Sequence, residues 1–440
     1  MKKSTIIVVV IAIALGAFVY FYDSRHTPKT SAEETFKPAF SVKPADFSSI
    51  TLERKSDTAV LQKKGSSWEL AKPVETKADS ATVDGITADL RNLEIQRSFS
   101  AGNDLSQYGL ATPAAKIEFQ DAKGAQHTIA LGDKDFSGTS VYAMIDSSKA
   151  QSIALVPSSL LDDAEKSVSD LRDRSILDMN NSQVAALTLH DASGTIQLKK
   201  AQAGWEITEP HSTLADSGAV DSIVSSLSTD KFAKVASETP SDLAKYGLAH
   251  PEVTLDATAK DGKQFRLAFG KKGTDYYGRD LSRPIIFSVD STIYNSFDKK
   301  FFDLRDKEIL HFDPTNIASI SVQNANGLIE CSQGKTDEWS MVQPAGDKGK
   351  SVQSWKLTDP IENARATEIY DAPPAAILAR LKKPAITVTL TDKSGKKTTV
   401  EISAADKDSA YAKASDTPQV YKLDKQILTD LGFKASDLLT

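Results

Sequence analysis

Residues 104–113 read Asp-Leu-Ser-Gln-Tyr-Gly-Leu-Ala-Thr-Pro, and residues 242–251 read Asp-Leu-Ala-Lys-Tyr-Gly-Leu-Ala-His-Pro. Seven of the ten positions are identical, at an offset of 138 residues. So long a period indicates duplicated domains, because the units of solenoid proteins are about 20–50 residues long. A glycine suits a left-handed helix-ending position, and a proline prevents a helix from continuing. We therefore interpret Tyr-Gly-Leu-x-x-Pro as a structural turn that leads the chain from a helix into a strand.

Two further motifs recur beside this turn. Trp68, Trp205 and Trp339 each open a Trp-x-x-x-x-Pro stretch, and Asp-Leu-Arg-Asp occurs at residues 170–173 and 303–306. We interpret each tryptophan as a core side chain at a sheet edge rather than a platform that stacks a ligand. We interpret Asp-Leu-Arg-Asp as a helix end with local ion pairs, which leads into the next domain.

Helical and strand patterns alternate around these motifs. Asp79 and Asp216 are candidate N-caps, because apolar residues at helical spacing follow each of them. On either side of this helix, apolar and polar residues alternate with period two and are separated by short turns, which predicts antiparallel meanders.

The predicted fold class is α+β: an N-terminal transmembrane helix followed by three tandem repeats of antiparallel β-meander, helix, second β-meander and helix. The predicted domains are a transmembrane anchor (1–23), a linker (24–45), repeat domain 1 (46–179), repeat domain 2 (180–312) and a divergent repeat domain 3 (313–440). The third repeat lacks the tyrosine and glycine of the turn and carries an additional Trp355. A terminal repeat often caps an array, and partner docking is the alternative interpretation of this divergence.

The N-terminus has the composition of a membrane anchor. Residues 6–22 contain no charged side chain and follow Lys2 and Lys3. A helix of this length rises about 26 Å, close to the thickness of the hydrocarbon core. The positive-inside rule then predicts a bacterial inner-membrane protein that crosses once through residues 5–22, with the bulk of the chain periplasmic. A cleaved signal peptide is the alternative, although bulky residues 18–22 make a poor cleavage site.

Together, the Trp-x-x-x-x-Pro opening, the Tyr-Gly-Leu-x-x-Pro turn and the Leu-Arg-Asp close resemble the bacterial domain-of-unknown-function family 4340. The resemblance implies a membrane-anchored, extracytoplasmic protein of uncharacterised activity. It also implies an association with permeases of ABC-type transporters and with gliding-motility auxiliary components. The family has no catalytic residues to carry over.

The sequence shows no constellation that indicates catalysis. The single cysteine and six histidines form no zinc-type pair, and no phosphate-binding loop or nucleophile elbow is present. We therefore predict that the protein is not an enzyme, with no catalytic, cofactor-binding or metal residues and no cofactor. The net charge of −6 argues against a nucleic-acid partner.

The leading hypothesis is a membrane-anchored periplasmic accessory or scaffold protein that contacts envelope partners, as an auxiliary component of an ABC-type transport system. A second hypothesis is an envelope glycan-binding protein that uses aromatic residues such as Tyr276, Tyr277 and Trp355. A third is a hydrolase whose site is assembled between repeats.

Overall fold

The computed structural model describes residues 37–40, 42, 47–100, 104–121, 124–146, 152–177, 183–334 and 338–440. The chain divides into two compact units, Met1–Ser175 and Ile176–Thr440. The predicted anchor and most of the predicted linker lie outside the described residues. Among the residues that are described, no helix combines the length and the apolar character needed to cross a membrane.

The first unit is built around one large antiparallel sheet. Its strands, in chain order, are β1 (Lys37–Pro38), β2 (Phe47–Arg54), β3 (Thr58–Lys64), β4 (Ser67–Lys72), β5 (Thr76–Lys77), β6 (Glu94–Ile95), β7 (Arg97–Ser100), β8 (Ala115–Asp121), β9 (Gln126–Lys134), β10 (Ser140–Ile145) and β11 (Ser152–Pro157). Nine of them form a sheet in the order β5-β4-β3-β2-β8-β9-β10-β11-β7, and β1 pairs separately with β6.

Three helices cover one face of this sheet: α1 (Ser80–Arg91), α2 (Ser159–Ala164) and α3 (Val168–Leu171). The helix α1 begins where predicted, because the Asp79 side chain accepts a hydrogen bond from the Thr82 backbone N–H at 2.9 Å. Its apolar stripe is fully buried, and the core of the unit lies between these helices and the sheet.

The second sheet repeats this plan. It contains β12 (Val184–Asp191), β13 (Gly194–Ala201), β14 (Gly204–Glu209), β15 (Thr213–Leu214), β16 (Lys234–Ser237), β17 (Val253–Ala259), β18 (Gln264–Lys272), β19 (Asp275–Asp280) and β20 (Ile286–Val289). The strand order is β15-β14-β13-β12-β17-β18-β19-β20-β16. Its helices are α4 (Ser217–Thr229), capped by Asp216, α5 (Ser291–Phe297) and α6 (Phe301–Leu304).

The third sheet lies in the same unit as the second and has one strand fewer. Its strands are β21 (Ile317–Asn324), β22 (Gly327–Gln333), β23 (Trp339–Gln343), β24 (Glu368–Tyr370), β25 (Ile386–Asp392), β26 (Lys397–Ile402), β27 (Ser409–Ala414) and β28 (Val420–Asp424). They are ordered β23-β22-β21-β25-β26-β27-β28-β24. The helices are α7 (Trp355–Glu362), α8 (Ala375–Leu381), α9 (Gln426–Asp430) and α10 (Ala435–Leu438).

The predicted α+β fold class, with two meanders and two helices alternating in each repeat, is wrong. The molecule is dominated by three large antiparallel sheets. The opening strands of the two predicted meanders pair with each other, β2 with β8, β12 with β17 and β21 with β25. Sequence alternation shows which residues face the core, but it does not show which strands share hydrogen bonds. An isolated meander would leave the backbone groups of its opening strand unpaired, and joining the two meanders satisfies them.

Alternation also failed to reveal the short strands β7, β16 and β24. Each follows the long helix of its repeat and pairs with the last strand of the second meander, at the far edge of the sheet. They are three or four residues long, which is too short for a period-two pattern to stand out.

Candidate functional site

The Tyr-Gly-Leu turn of the second sheet covers the face opposite to the helices. Tyr246 ends a three-residue 3-10 helix, and Gly247 follows with a left-handed φ of 70°. A Cβ on Gly270 of β18 would lie 2.3 Å from the Gly247 carbonyl oxygen, so the turn backbone touches the strand directly. Tyr246 packs edge-on against Tyr277, and Leu248 is buried beside them. The turn is structural, although it follows the strand β16 rather than the long helix.

The first and third sheets cover this face in different ways. In the first sheet, Gly109 has a φ of 68°, and a Cβ on Gly132 would lie 2.1 Å from the Tyr108 carbonyl oxygen. In the third sheet the helix α8 replaces the turn, and its Ile377 and Leu381 pack in a cluster with side chains of β27 and β28.

The three equivalent tryptophans are core side chains. Trp68, Trp205 and Trp339 are 4%, 2% and 9% exposed, which leaves no ring face for stacking a ligand. The Trp205 indole N–H donates to Asp221 at 2.8 Å, so its one polar group is satisfied. The prediction that these residues are core side chains is confirmed.

Each sheet ends in the same closing segment. In α3, α6 and α10 an aspartate at the third helical position accepts a hydrogen bond from the backbone N–H that precedes the helix. The chain then runs alongside the start of the long helix: the Leu304 carbonyl accepts from Asp216, and the Leu438 carbonyl accepts from Gln353. Leu439 therefore occupies in the third sheet the position that Arg305 occupies in the second.

Arg305 is a buried cation that connects the second repeat to the third. It is 4% exposed, and its guanidinium donates two hydrogen bonds to Asp371, at 2.8 and 2.5 Å. This bidentate pair holds the pKa of Asp371 below its usual value. Asp371 also lies 3.3 Å from His211. The predicted local ion pair is therefore wrong for Arg305, whose partner is 66 residues away.

A second ionic cluster follows directly in the chain. The His311 ring lies between two carboxylates, with Nε2 at 2.5 Å from Asp306 and Nδ1 at 2.6 Å from Glu308. Glu308 also accepts from Arg365 at 2.8 Å. The hydrogen bond to Asp306 raises the pKa of His311 to about 9, so the imidazole is protonated at neutral pH. Although burial raises the pKa of Asp306, the hydrogen bond from His311 helps to hold it below its usual value.

Asp306, Glu308 and His311 are also close enough together to be considered as metal ligands. Their geometry favours a protonated His311 ring over a bound metal ion, because each ring nitrogen faces a different carboxylate at hydrogen-bond distance. Arg365 already neutralises Glu308. We interpret the cluster as a structural ion-pair network. The sequence did not predict this cluster, because a histidine between two acidic residues does not match the zinc-type spacing of histidine and cysteine.

A predominantly apolar groove lies on the helical face of the third sheet. It has a volume of about 610 Å³ and lies between α7 and α9. Its apolar lining comes from Trp355, Pro360, Ala364, Leu423, Ile427 and Phe433. Trp355 at its edge is 56% exposed, in contrast to the three buried tryptophans.

Acidic side chains surround this groove. Asp359, Asp424 and Asp430 line it, and none of the three forms an ion pair with a described residue. The two basic residues of the lining are already engaged. Lys356 donates to the Asp437 carbonyl at 2.6 Å, and Arg365 binds Glu308 and the Glu362 carbonyl.

The aromatic residues named for glycan binding do not form one platform. Tyr276 packs against Tyr294, whereas Tyr277 packs against Tyr246, because neighbours in a strand face opposite sides of the sheet. Both nevertheless contribute to a depression of about 700 Å³ in the second sheet. Trp355 belongs to the groove of the third sheet.

Comparison with protein families identifies the repeats. The model of the family described as "Domain of unknown function (DUF4340)" matches residues 68–207 and 205–379. The chain belongs to this family. Both matches begin at an equivalent buried tryptophan, Trp68 or Trp205. Each match therefore starts within one repeat and ends within the next repeat.

No curated protein matches the chain. Two solved structures of the DNA polymerase III subunit beta (DnaN sliding clamp) from Pseudomonas aeruginosa align with 89% of it. The structure bound to griselimycin is 9% identical with 96% of its own chain covered and a TM-score of 0.15; the other is 8% identical with 97% covered and a TM-score of 0.16. Scores this low carry no argument about fold or function.

Proposed function

We propose that this DUF4340 protein is a membrane-anchored, extracytoplasmic scaffold that contacts other envelope proteins, as an auxiliary component of an ABC-type transport system. In this proposal, residues 5–22 hold the chain in the bacterial inner membrane and the repeats lie in the periplasm. The protein acts by binding and has no catalytic activity of its own.

The observation that carries the proposal is the groove between α7 and α9. It combines an apolar floor, an exposed tryptophan and acidic side chains without ion-pair partners, which is the composition of a surface that binds protein. The ionic clusters described above offer no comparable site, because the carboxylates of Asp306, Glu308 and Asp371 each contact a cationic side chain. Carboxylates engaged in this way are poorly suited to general acid–base work.

Crosslinking in living cells, followed by affinity purification of the tagged full-length chain from native membranes, tests this function. We expect an ABC-type permease or another envelope protein to be enriched over a control in which residues 1–45 carry an unrelated periplasmic domain. Recovery of no such protein above this control would contradict the proposal.

The orientation is tested separately. Alkaline phosphatase fused after residue 179 folds to an active enzyme only outside the cytoplasm, so we expect activity. An inactive fusion of full length and normal abundance would overturn the periplasmic placement.

Glycan binding is the second candidate. The depression lined by Tyr246, Tyr276 and Tyr277 supports it, because sugars stack on aromatic rings. Sedimentation with purified cell wall distinguishes the two functions, since a protein that binds only other proteins stays in the supernatant. If the chain pellets, and Tyr277→Ala returns it to the supernatant, glycan binding is favoured.

A further inference from the structure

The third repeat differs from the second at the place where the groove between α7 and α9 lies. In the second sheet, α4 packs against α5, and Tyr294 and Phe297 of α5 are buried. Alignment of the closing segments, Lys300 with Lys434, places Leu428 and Leu431 at these two positions. The third repeat therefore has two leucines where the second has a tyrosine and a phenylalanine.

The long helix is also shorter in the third repeat. The helix α4 has 13 residues, whereas α7 has 8 and contains Pro360. More than one helical turn is therefore missing from the face that α4 covers in the second sheet, at 3.6 residues per turn. The shorter helix leaves a space beside α9, whereas α1 packs against α2 in the first repeat and α4 packs against α5 in the second.

The charges around this space select what can fill it. Asp359, Asp424 and Asp430 have no ion-pair partner among the described residues. Lys425, the basic residue next to Asp424, pairs with Asp408 at 2.6 Å. An acidic guest would be repelled by these carboxylates, whereas lysine or arginine side chains beside an apolar stripe would pair with them.

We propose that this groove binds a basic amphipathic α-helix of an envelope protein, with the apolar stripe against Trp355, Ile427 and Phe433 and the basic side chains beside the three aspartates. This inference names the partner chemistry for the proposed scaffold function and rests on it. Helix-in-groove recognition needs an apolar groove and anchor residues of the guest at helical spacing. The exposed Trp355 is the residue of the groove best suited to dominate the affinity, since tryptophan is enriched among binding hot spots.

The test uses the full-length chain in nanodiscs and two stapled helical peptides of 15 residues. Both peptides carry the same leucine stripe with one photoreactive leucine; one has lysines beside the stripe and the other has glutamates. Binding is measured by fluorescence anisotropy with empty nanodiscs subtracted, and photocrosslinks are mapped by mass spectrometry. We expect the lysine peptide to bind at least tenfold more tightly than the glutamate peptide and to crosslink to α7 and α9.

Three exposed or half-buried positions of the groove provide two variants that preserve the fold. The double variant Asp359→Lys/Asp430→Lys should weaken binding of the lysine peptide at least tenfold, and Trp355→Ala should weaken it to a similar extent. Asp84→Lys, on the exposed side of α1 in the first repeat, is a charge-reversal control away from the groove and should leave binding unchanged.

Equal binding of the two peptides, crosslinks outside α7 and α9, absence of binding, or an unchanged affinity in the double variant would overturn the inference. These outcomes are separable from failure of the scaffold function. If an envelope partner is recovered from native membranes and the peptide does not bind, the function stands and the contact lies elsewhere.

Discussion

The second and third sheets share a strand order but complete their two faces differently. On one face, the second sheet is covered by a glycine-dependent turn and the third by the helix α8. On the other face, α4 packs against α5, whereas α7 and α9 leave a groove. The closing arginine of the second sheet, Arg305, is Leu439 in the third. The comparison shows that the strand framework is constant, whereas the covering elements, which determine what remains exposed, vary.

The largest expected effect comes from exchanging the strand glycine that contacts the turn, Gly270, for the residue of the third sheet. Gly270 corresponds to Ser403, which follows β26 and is fully buried. Gly270→Ser places a Cβ 2.3 Å from the Gly247 carbonyl oxygen, so the strand or the turn must shift. We expect a loss of about 3 kcal/mol in the free energy of unfolding, measured by hydrogen exchange in β18.

The reverse exchange is the control for this prediction. Ser403→Gly removes the hydrogen bond that the serine hydroxyl accepts from the Tyr411 backbone N–H at 3.0 Å and the one that it donates to the exposed Ala404 carbonyl at 2.8 Å. Its expected cost is about 1 kcal/mol. An equal loss of unfolding free energy in the two variants would contradict the prediction, because it would show that the turn requires a glycine no more than α8 does.

The next effect concerns the pair between Arg305 and Asp371. Asp371→Ala leaves a guanidinium that is 5% exposed without its carboxylate, which should cost about 3 kcal/mol. Arg305→Leu, which copies the residue of the third sheet, leaves a carboxylate that is 40% exposed and should cost less, about 1–2 kcal/mol. Urea unfolding of both variants checks this order of the two losses in unfolding free energy. A larger loss for Arg305→Leu would contradict the inference that the buried guanidinium depends more on the pair than the half-exposed carboxylate does.

The smallest effect is the pH dependence of the His311 cluster. Its folded pKa of about 9 is raised above the unfolded value of about 6.5, so protonation stabilises the folded state. This stability is fully present below pH 6.5 and is lost as the pH rises through 9. Because the side chain is 52% exposed, solvent screening limits the contribution to about 1 kcal/mol.

Urea unfolding of the wild type and of His311→Gln, repeated at several pH values between 6 and 10, measures this contribution. The unfolding midpoint of the wild type should fall more steeply in this range than that of His311→Gln. Parallel curves for the two proteins would show that the ring is not held in its charged form by Asp306 and Glu308.

Local features of this chain were predictable from its sequence, and long-range ones were not. Asp79 and Asp216 cap their helices as expected, because a cap depends on residues only a few positions apart. The burial of the equivalent tryptophans was predictable from their repetition. The pairing of β2 with β8 was not, since the apolar pattern of a strand does not specify its neighbour.

The sites of the second unit were missed for a similar reason. Nothing near Arg305 in the sequence indicates Asp371 as its partner, because the two meet only through tertiary structure. The groove did leave a signal, since only the third copy has a proline, Pro360, in its long helix. Its size could not be inferred, because it depends on how the shorter helix α7 packs.

The short segment after the second closing helix has a practical consequence for dissecting the protein. Ile309 and Leu310 are buried in the core of the third sheet, although they precede its first strand by several residues. An expression plasmid that starts the last repeat at residue 313 would omit both side chains and open a cavity in the fragment. A fragment that starts upstream of Ile309 would retain both side chains. Comparing the solubility of the two fragments would show how far the third repeat depends on the peptide that precedes it.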